Sequence, residues 1–248
     1  MMTYPRTKSV GISRSPLFDW LQRGLDLLFP PHCIACSRVG TWFCDDCLAS
    51  VEPVPHPFCP RCGRPAPVER LCAQCRIHPL RLDGIRSVAV HDGALRQAIH
   101  HLKYRRRREL ALTLGGLLFE YWQEANLPTD LVIPVPLHPS RQKERGFNQA
   151  GLLASVLAER ARLPLNDRHL TRTRATPPQV GLGAEERKVN VQDAFTWEGN
   201  GLEGVRVLLI DDVCTTGATL EACAVALRAG GAGSVWALTL ARPHELAG

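Results

Sequence analysis

Apolar and polar positions along this 248-residue chain follow two alternating periods over most of its length. Short apolar runs at residues 85–90, 131–135, 205–210 and 235–240 are typical of strands buried on both faces. Between them, apolar residues recur at helical spacing over 95–102, 110–121, 147–157 and 218–229. Strands that alternate with helices predict an α/β fold, with a mostly parallel sheet covered by helices on both faces.

The first third of the chain has a different pattern. Residues 1–15 are polar and basic without a period, which predicts disorder. Residues 16–29 space their apolar side chains as a short amphipathic helix, which we expect to pack on the adjoining module or a partner rather than on a membrane. Glycine and proline then interrupt the chain up to about residue 80. The sequence therefore predicts three parts: a disordered N-terminus (1–15), a small module (16–80) and an α/β domain (81–248).

Eight of the ten cysteines form four Cys-x-x-Cys pairs in the small module. Two residues between the sulfurs let one tight turn present both thiolates to a tetrahedral metal, and two such turns complete a structural zinc site. Four pairs predict two structural zinc ions without an open catalytic position. Sequential pairing closes the shortest loops and is favoured, although a cross-braced pairing stays open. The expected ligands are Cys33, Cys36, Cys44, Cys47, Cys59, Cys62, Cys72 and Cys75.

Charge and composition narrow the class of protein. The formal charge is +6, but eight thiolates holding two zinc ions reduce it to about +2. The overall charge therefore gives little support to a nucleic-acid partner. No apolar run is long enough to span a bilayer and no secretory signal is recognisable, so we expect a cytoplasmic protein.

The strongest chemical signal is the run VRVLLIDDVCTTGAT at residues 205–219. It predicts a buried strand followed by Asp211 and Asp212, a Thr/Gly turn and a helix. Open α/β sheets bind ligands at the carboxyl ends of their strands, and the first amides of a helix suit a phosphate. Carboxylates beside such a phosphate site fit a sugar phosphate whose hydroxyls need acceptors, or one that carries magnesium.

A second strand end leads into a cationic segment. The strand at 131–135 is followed by PLHPSRQKERGFNQ, in which Arg141 and Arg145 are predicted to lie in a loop before the next helix. Guanidinium groups match the oxygens of a dense anion such as diphosphate. A solvated charge cluster is the alternative interpretation of these residues.

The acidic run resembles the 5-phosphoribosyl-1-pyrophosphate (PRPP) signature of type I phosphoribosyltransferases. Together with the FPPHCIAC, IHHLKY, VPLHPSRQKERGFNQ and TRTRATPPQVGLGAEERKVNVQDAF segments, it makes the chain similar to the ComF family from residue 17 onward. That family joins a double zinc ribbon to a phosphoribosyltransferase-like domain and is associated with competence. The resemblance implies this fold, with magnesium entering together with PRPP.

The resemblance also implies roles for individual residues. Asp211 and Asp212 would contact the ribose hydroxyls and the magnesium. Arg141 and Arg145 would bind pyrophosphate, and a flexible loop over 171–195 would cover the sugar. The 5-phosphate would be held by Thr215, Thr216, Gly217, Ala218 and Thr219, and the covering loop would use Arg174, Thr176, Gln179 and Arg187.

Three functions follow from these features. The first is transfer of phosphoribosyl to an unidentified acceptor, with release of pyrophosphate. The second is a single-stranded nucleic-acid-binding module for DNA uptake, acting with other uptake proteins and using PRPP as a regulatory ligand. The third, a zinc–thiolate redox or adaptor unit, uses only the first 80 residues. Contacts to nucleic acid are predicted for the basic run Lys103, Tyr104, Arg105, Arg106, Arg107 and Arg108, for which a solvated surface is the alternative.

Overall fold

The computed structural model describes residues 30–174 and 193–244. The predictions for residues 1–29 and for Thr176, Gln179 and Arg187 lie outside these ranges. Within them, a Cys-rich module precedes a four-stranded parallel sheet with helices on both faces. The predicted fold class, an α/β sheet behind a double zinc ribbon, is confirmed.

The sheet consists of four strands from widely separated parts of the chain. They are β1 (Gly84–Val90), β2 (Leu131–Pro134), β5 (Arg206–Val213) and β6 (Ser234–Arg242). Their order across the sheet is β1-β6-β5-β2. Each neighbouring pair is parallel, so the carboxyl ends of the strands meet along one edge. Apolar residues of the two inner strands are buried on both faces, as their continuous apolar runs predict.

Two separate cores hold the helices on the sheet. Leu208, Ile210 and Leu238 belong to the core of one face, and Val207 and Leu209 belong to that of the other. Because successive strand residues point to opposite faces, one strand supplies both cores. The first face carries α3 (Gly93–Tyr104), α4 (Leu110–Glu124) and α6 (Gln149–Ala161), and the second carries α7 (Ala218–Ala229).

The structure corrects three details of the predicted elements. Strand β5 extends to Val213, so Asp211 and Asp212 lie inside it rather than after it. The predicted cationic loop contains a short helix, α5 (Pro139–Arg145), which is capped by the His138 side chain. The ends of the predicted covering loop form an antiparallel pair of strands, β3 (Leu170–Arg172) and β4 (Phe195–Trp197).

The Cys-rich module consists of two similar units. In each unit a Cys-x-x-Cys turn lies inside a small β-bridge, His32–Val39 in the first and Phe58–Pro65 in the second. The second Cys-x-x-Cys pair then begins a five-residue helix, with its first cysteine at the N-cap. These helices are α1 (Asp45–Ala49) and α2 (Ala73–Ile77).

The module packs directly on the sheet and its helices. The amide of Val90 donates to the Glu52 carbonyl, and the amide of Ile85 donates to the Arg61 carbonyl. The first unit shares a hydrophobic core with α3 and α4 through Phe43. These contacts cover the free edge of β1, which would otherwise expose unpaired backbone groups.

Candidate functional site

Two adjacent acids lie at the carboxyl end of β5, in the middle of the sheet edge. Asp212 is buried, and Asp211 is partly buried. As neighbours on one strand they start out toward opposite faces. The Asp211 carboxylate accepts a hydrogen bond of 2.8 Å from the Asp212 amide, which fixes its orientation.

Asp212 has a fixed cationic partner on the first face. The Lys103 ammonium, from the last turn of α3, lies 2.7 Å from Asp212 Oδ1. Both side chains are largely buried, with 20% of Lys103 and 11% of Asp212 exposed. Burial alone would lower the pKa of Lys103, but the attraction of Asp212 raises it above its ordinary value. Lys103 therefore stays protonated throughout the physiological range.

Asp211 faces a different set of groups. Burial, followed by repulsion from Asp212, raises the pKa of Asp211 to about 7. Arg172 on β3 is within electrostatic range of both Asp211 and Arg141. Burial is the main reason that the pKa of Arg172 is lowered, and the nearby charge of Arg141 adds to it. Arg172 thus lies within electrostatic range both of the acidic end of β5 and of Arg141 on α5.

The turn after β5 leads into α7 through a glycine in a left-handed conformation. Gly217 has φ +82° and occupies the N-cap of α7, without a side-chain cap. The Thr216 hydroxyl accepts a hydrogen bond of 3.3 Å from the Ala218 amide. A Cβ at Gly217 would lie 3.0 Å from Ile85 Cδ1, so both the conformation and the space favour glycine. Thr215 and Thr219 are partly exposed beside this turn.

The two predicted pyrophosphate-binding arginines lie on α5, which buries none of its residues. Arg145 donates to Gln149 Oε1 at 3.0 Å, and its guanidinium lies over the Tyr104 ring, 5.1 Å from the centroid. Gln149 is almost fully buried, so its hydrogen bond restricts the movement of the Arg145 side chain. Arg141 lies within electrostatic range of Arg172.

The basic run 103–108, which begins in the last turn of α3, consists of residues with different surroundings. Lys103 points into the acidic site, while Tyr104 is 56% exposed. The Arg107 guanidinium lies over the Trp42 ring of the Cys-rich module. Arg106 and Arg108 hold the α5 segment through the carbonyls of Glu144 and Gly146, and Arg105 is exposed.

The eight module cysteines form two tetrads, and in each tetrad all sulfurs lie within 4.8 Å of one another. The tetrads are sequential, so the favoured pairing is confirmed and the cross-braced one is wrong. Burial opposes ionisation of Cys33 and Cys59, yet backbone amides lower the pKa of each to about 6. Both sets have the composition of closed structural zinc sites. The first is Cys33, Cys36, Cys44 and Cys47, and the second is Cys59, Cys62, Cys72 and Cys75.

Comparison with known proteins agrees with this arrangement. Residues 24–76 match the model of the double zinc ribbon domain. The DNA utilization protein YhgH of Escherichia coli K12 is 34% identical over 87% of this chain and 99% of its own length. The chain belongs to the ComF family. Its ComF relatives include competence protein ComFC of Bacillus subtilis, 30% identical over 80% of this chain and 83% of that protein. Competence protein F of Haemophilus influenzae is 30% identical over 85% of this chain and 95% of its own length.

Solved structures similar to this ComF chain include two phosphoribosyl enzymes. Orotate phosphoribosyltransferase from Aeropyrum pernix is 25% identical, with a TM-score of 0.35 over 66% of this chain and 72% of that one. The glutamine PRPP amidotransferase from Bacillus subtilis is 23% identical, with a TM-score of 0.36 over 52% of this chain. The chain spans only 25% of that amidotransferase.

Sequence reasoning misses two residues of the site. It places Lys103 on a nucleic-acid surface and does not select Arg172, and the role that it gives to the exposed Arg174 stays a prediction. The available signal for Arg172 is its position two residues after the apolar Leu170, because alternate residues of a strand share a face. No local pattern marks Lys103, whose partner lies on a distant strand.

Among residues 30–174 and 193–244, no helix has the length and apolar character needed to cross a membrane.

Proposed function

We propose that this chain binds PRPP together with magnesium and transfers its phosphoribosyl group to an acceptor, releasing pyrophosphate. The observation that carries the proposal is the pair Asp211 and Asp212 beside the Gly217 turn at the N-terminus of α7. Carboxylates accept the ribose hydroxyls, and the turn amides hold the 5-phosphate. Both groups lie at the sheet edge where parallel α/β folds bind ligands.

The charges around the acids suit this reaction. As the bond to pyrophosphate breaks, positive charge grows on the sugar and negative charge on the leaving group. Asp211 and Asp212 offset the first, while Arg141 and Arg145 offset the second. Arg172 lies within electrostatic range of one member of each set, Asp211 and Arg141.

Magnesium fits the donors that the site offers. Carboxylate oxygens are the ligands that magnesium prefers, but Lys103 already occupies one oxygen of Asp212. The chain alone therefore offers few free ligands, and most would come from the sugar and the diphosphate. Magnesium bound there would help to neutralise the charge of the departing diphosphate.

The binding step is tested by calorimetry with magnesium and PRPP. Wild-type protein is expected to bind, and the Asp211→Asn/Asp212→Asn double variant is expected to lose binding while keeping its zinc and its fold. Undiminished affinity of the double variant would contradict the assignment. Pyrophosphate release across a panel of nucleobases and amines then tests turnover and identifies the acceptor.

A second function is favoured by the surface beside the site. Tyr104 is 56% exposed, the Arg145 guanidinium of α5 lies over one side of its ring, and the next residue in the chain, Arg105, is exposed. An exposed ring among cations suits a single strand of nucleic acid, with a base stacked on Tyr104. The names of the relatives, which refer to DNA utilization and competence, give this function a context.

Single-strand binding is tested by its salt dependence. Binding that weakens steeply with salt in wild type, and less steeply after Arg105→Ala, would support this second function. Arg107→Ala is the matched control, because Arg107 contacts Trp42 within the chain. The absence of binding at low salt would exclude the nucleic-acid function and leave the first proposal intact.

A further inference from the structure

The acidic pair has a resident cation, supplied by α3. Ile99 and Leu102 of that helix are buried in the core of the first face, which holds the helix end against β5. The stem of Lys103 is thereby confined, and its ammonium contacts Asp212 Oδ1 at 2.7 Å. A buried ammonium at this distance from a carboxylate behaves as a permanent counter-ion.

The other charged groups around the acids add to this neutralisation. Arg172 from β3 lies within electrostatic range of Asp211. His91, which follows β1, is influenced by both Lys103 and Asp212, and burial is the main cause of its lowered pKa. His91 is therefore neutral near pH 7. Asp212 is thus paired with Lys103, and Asp211 lies within electrostatic range of Arg172, so the site has little net negative charge to attract a free divalent metal.

We propose that Lys103 determines what the acidic pair binds: the carboxylates accept sugar hydroxyls, and a free divalent cation is excluded until it arrives with the diphosphate. This inference rests on the proposed function for its ligand. A hydroxyl donates to a carboxylate without adding charge, so Lys103 and the sugar can share Asp212. A divalent cation at the same carboxylate would lie close to the ammonium and be repelled.

The test uses Mn²⁺ alone as the probe, measured by electron paramagnetic resonance on the zinc-loaded full-length protein. Wild type is expected to bind no Mn²⁺ at the acidic pair below millimolar concentration. Lys103→Met, which keeps the apolar stem, is expected to bind Mn²⁺ at least about tenfold more tightly. Lys103→Arg should behave as wild type, and Lys103→Met/Asp212→Asn should lose the gained binding.

Two results would overturn the inference. One is binding of Mn²⁺ to the wild-type protein at concentrations below millimolar, if that binding disappears in Asp212→Asn. This result can be obtained even if no Lys103 variant folds. The other is a folded Lys103→Met protein with unchanged Mn²⁺ affinity. Failure of the proposed function is seen separately, as absence of binding when magnesium and PRPP are added together to wild type.

Discussion

Lys103 Nζ lies 2.7 Å from Asp212 Oδ1, which joins the end of helix α3 to the acidic end of strand β5. The contact crosses from one family motif, IHHLKY, to another, IDDVCTTGATL. It places a basic side chain inside a site that the sequence describes as acidic. The site is therefore assembled from both ends of the α/β domain.

This ion pair should contribute to stability. Lys103→Met leaves a largely buried carboxylate without its cation, and we expect a loss of about 2 kcal/mol in the free energy of unfolding. The double variant Lys103→Met/Asp212→Asn should recover most of that loss. Urea denaturation of the two single variants and the double variant measures the coupling, and simple additivity would contradict it.

Asp211 should make stability depend on pH. Its pKa of about 7 exceeds that of the unfolded chain, near 4, so the folded state retains a proton in between. Stability then falls as the pH rises from about 4 to 7. Asp211→Asn removes this effect, so its stability relative to wild type should increase by roughly 2 kcal/mol between pH 5 and pH 8.

The comparison for Asp211 is made by denaturation at both pH values. Asp130→Asn serves as the control, since Asp130 is paired with Arg206 at the other end of β5 and its pKa is lowered. That variant should show no relative gain at pH 8. An equal change in both variants would mean that Asp211 is not the group responsible.

The turn before α7 should require glycine at position 217, both for its left-handed backbone conformation and because a side chain there would crowd Ile85. Gly217→Ala puts a Cβ 3.0 Å from Ile85 Cδ1 at φ +82°, and we expect it to cost about 1–2 kcal/mol and to weaken PRPP binding. Gly204→Ala is the matched control, with φ +74° and nothing within 4 Å of the added carbon. The control should lose some stability but keep its affinity in calorimetry.

The second zinc site should stabilise the edge of the sheet. Its Cys59–Cys62 turn accepts backbone and side-chain hydrogen bonds from Ile85 and Arg242. Cys62→Ser is expected to lower the zinc content by one ion and to speed amide hydrogen exchange at Ile85. Cys36→Ser, in the first site, should also lose one zinc ion but leave Ile85 protected. Equal exchange at Ile85 in the two variants would argue against this coupling.

Local patterns alone are enough to locate the four strands of the parallel sheet, the helices α3, α4, α6 and α7, the zinc ligands and the acidic run. Apolar periodicity marks β1, β2, β5 and β6 because buried strands need continuous apolar residues, and Cys-x-x-Cys spacing is local geometry. The Gly217 turn is equally local, since its strand, turn and helix are consecutive in the chain.

Which distant groups meet is a property of the packed molecule. Lys103 contacts Asp212 and Arg172 lies within electrostatic range of Asp211 because folding brings α3 and β3 near the end of β5, and nothing in their own segments specifies that neighbour. The same holds for Arg107 on Trp42. Local patterns encode how a segment folds, whereas the charge balance of a site depends on side chains that packing brings together from separate segments.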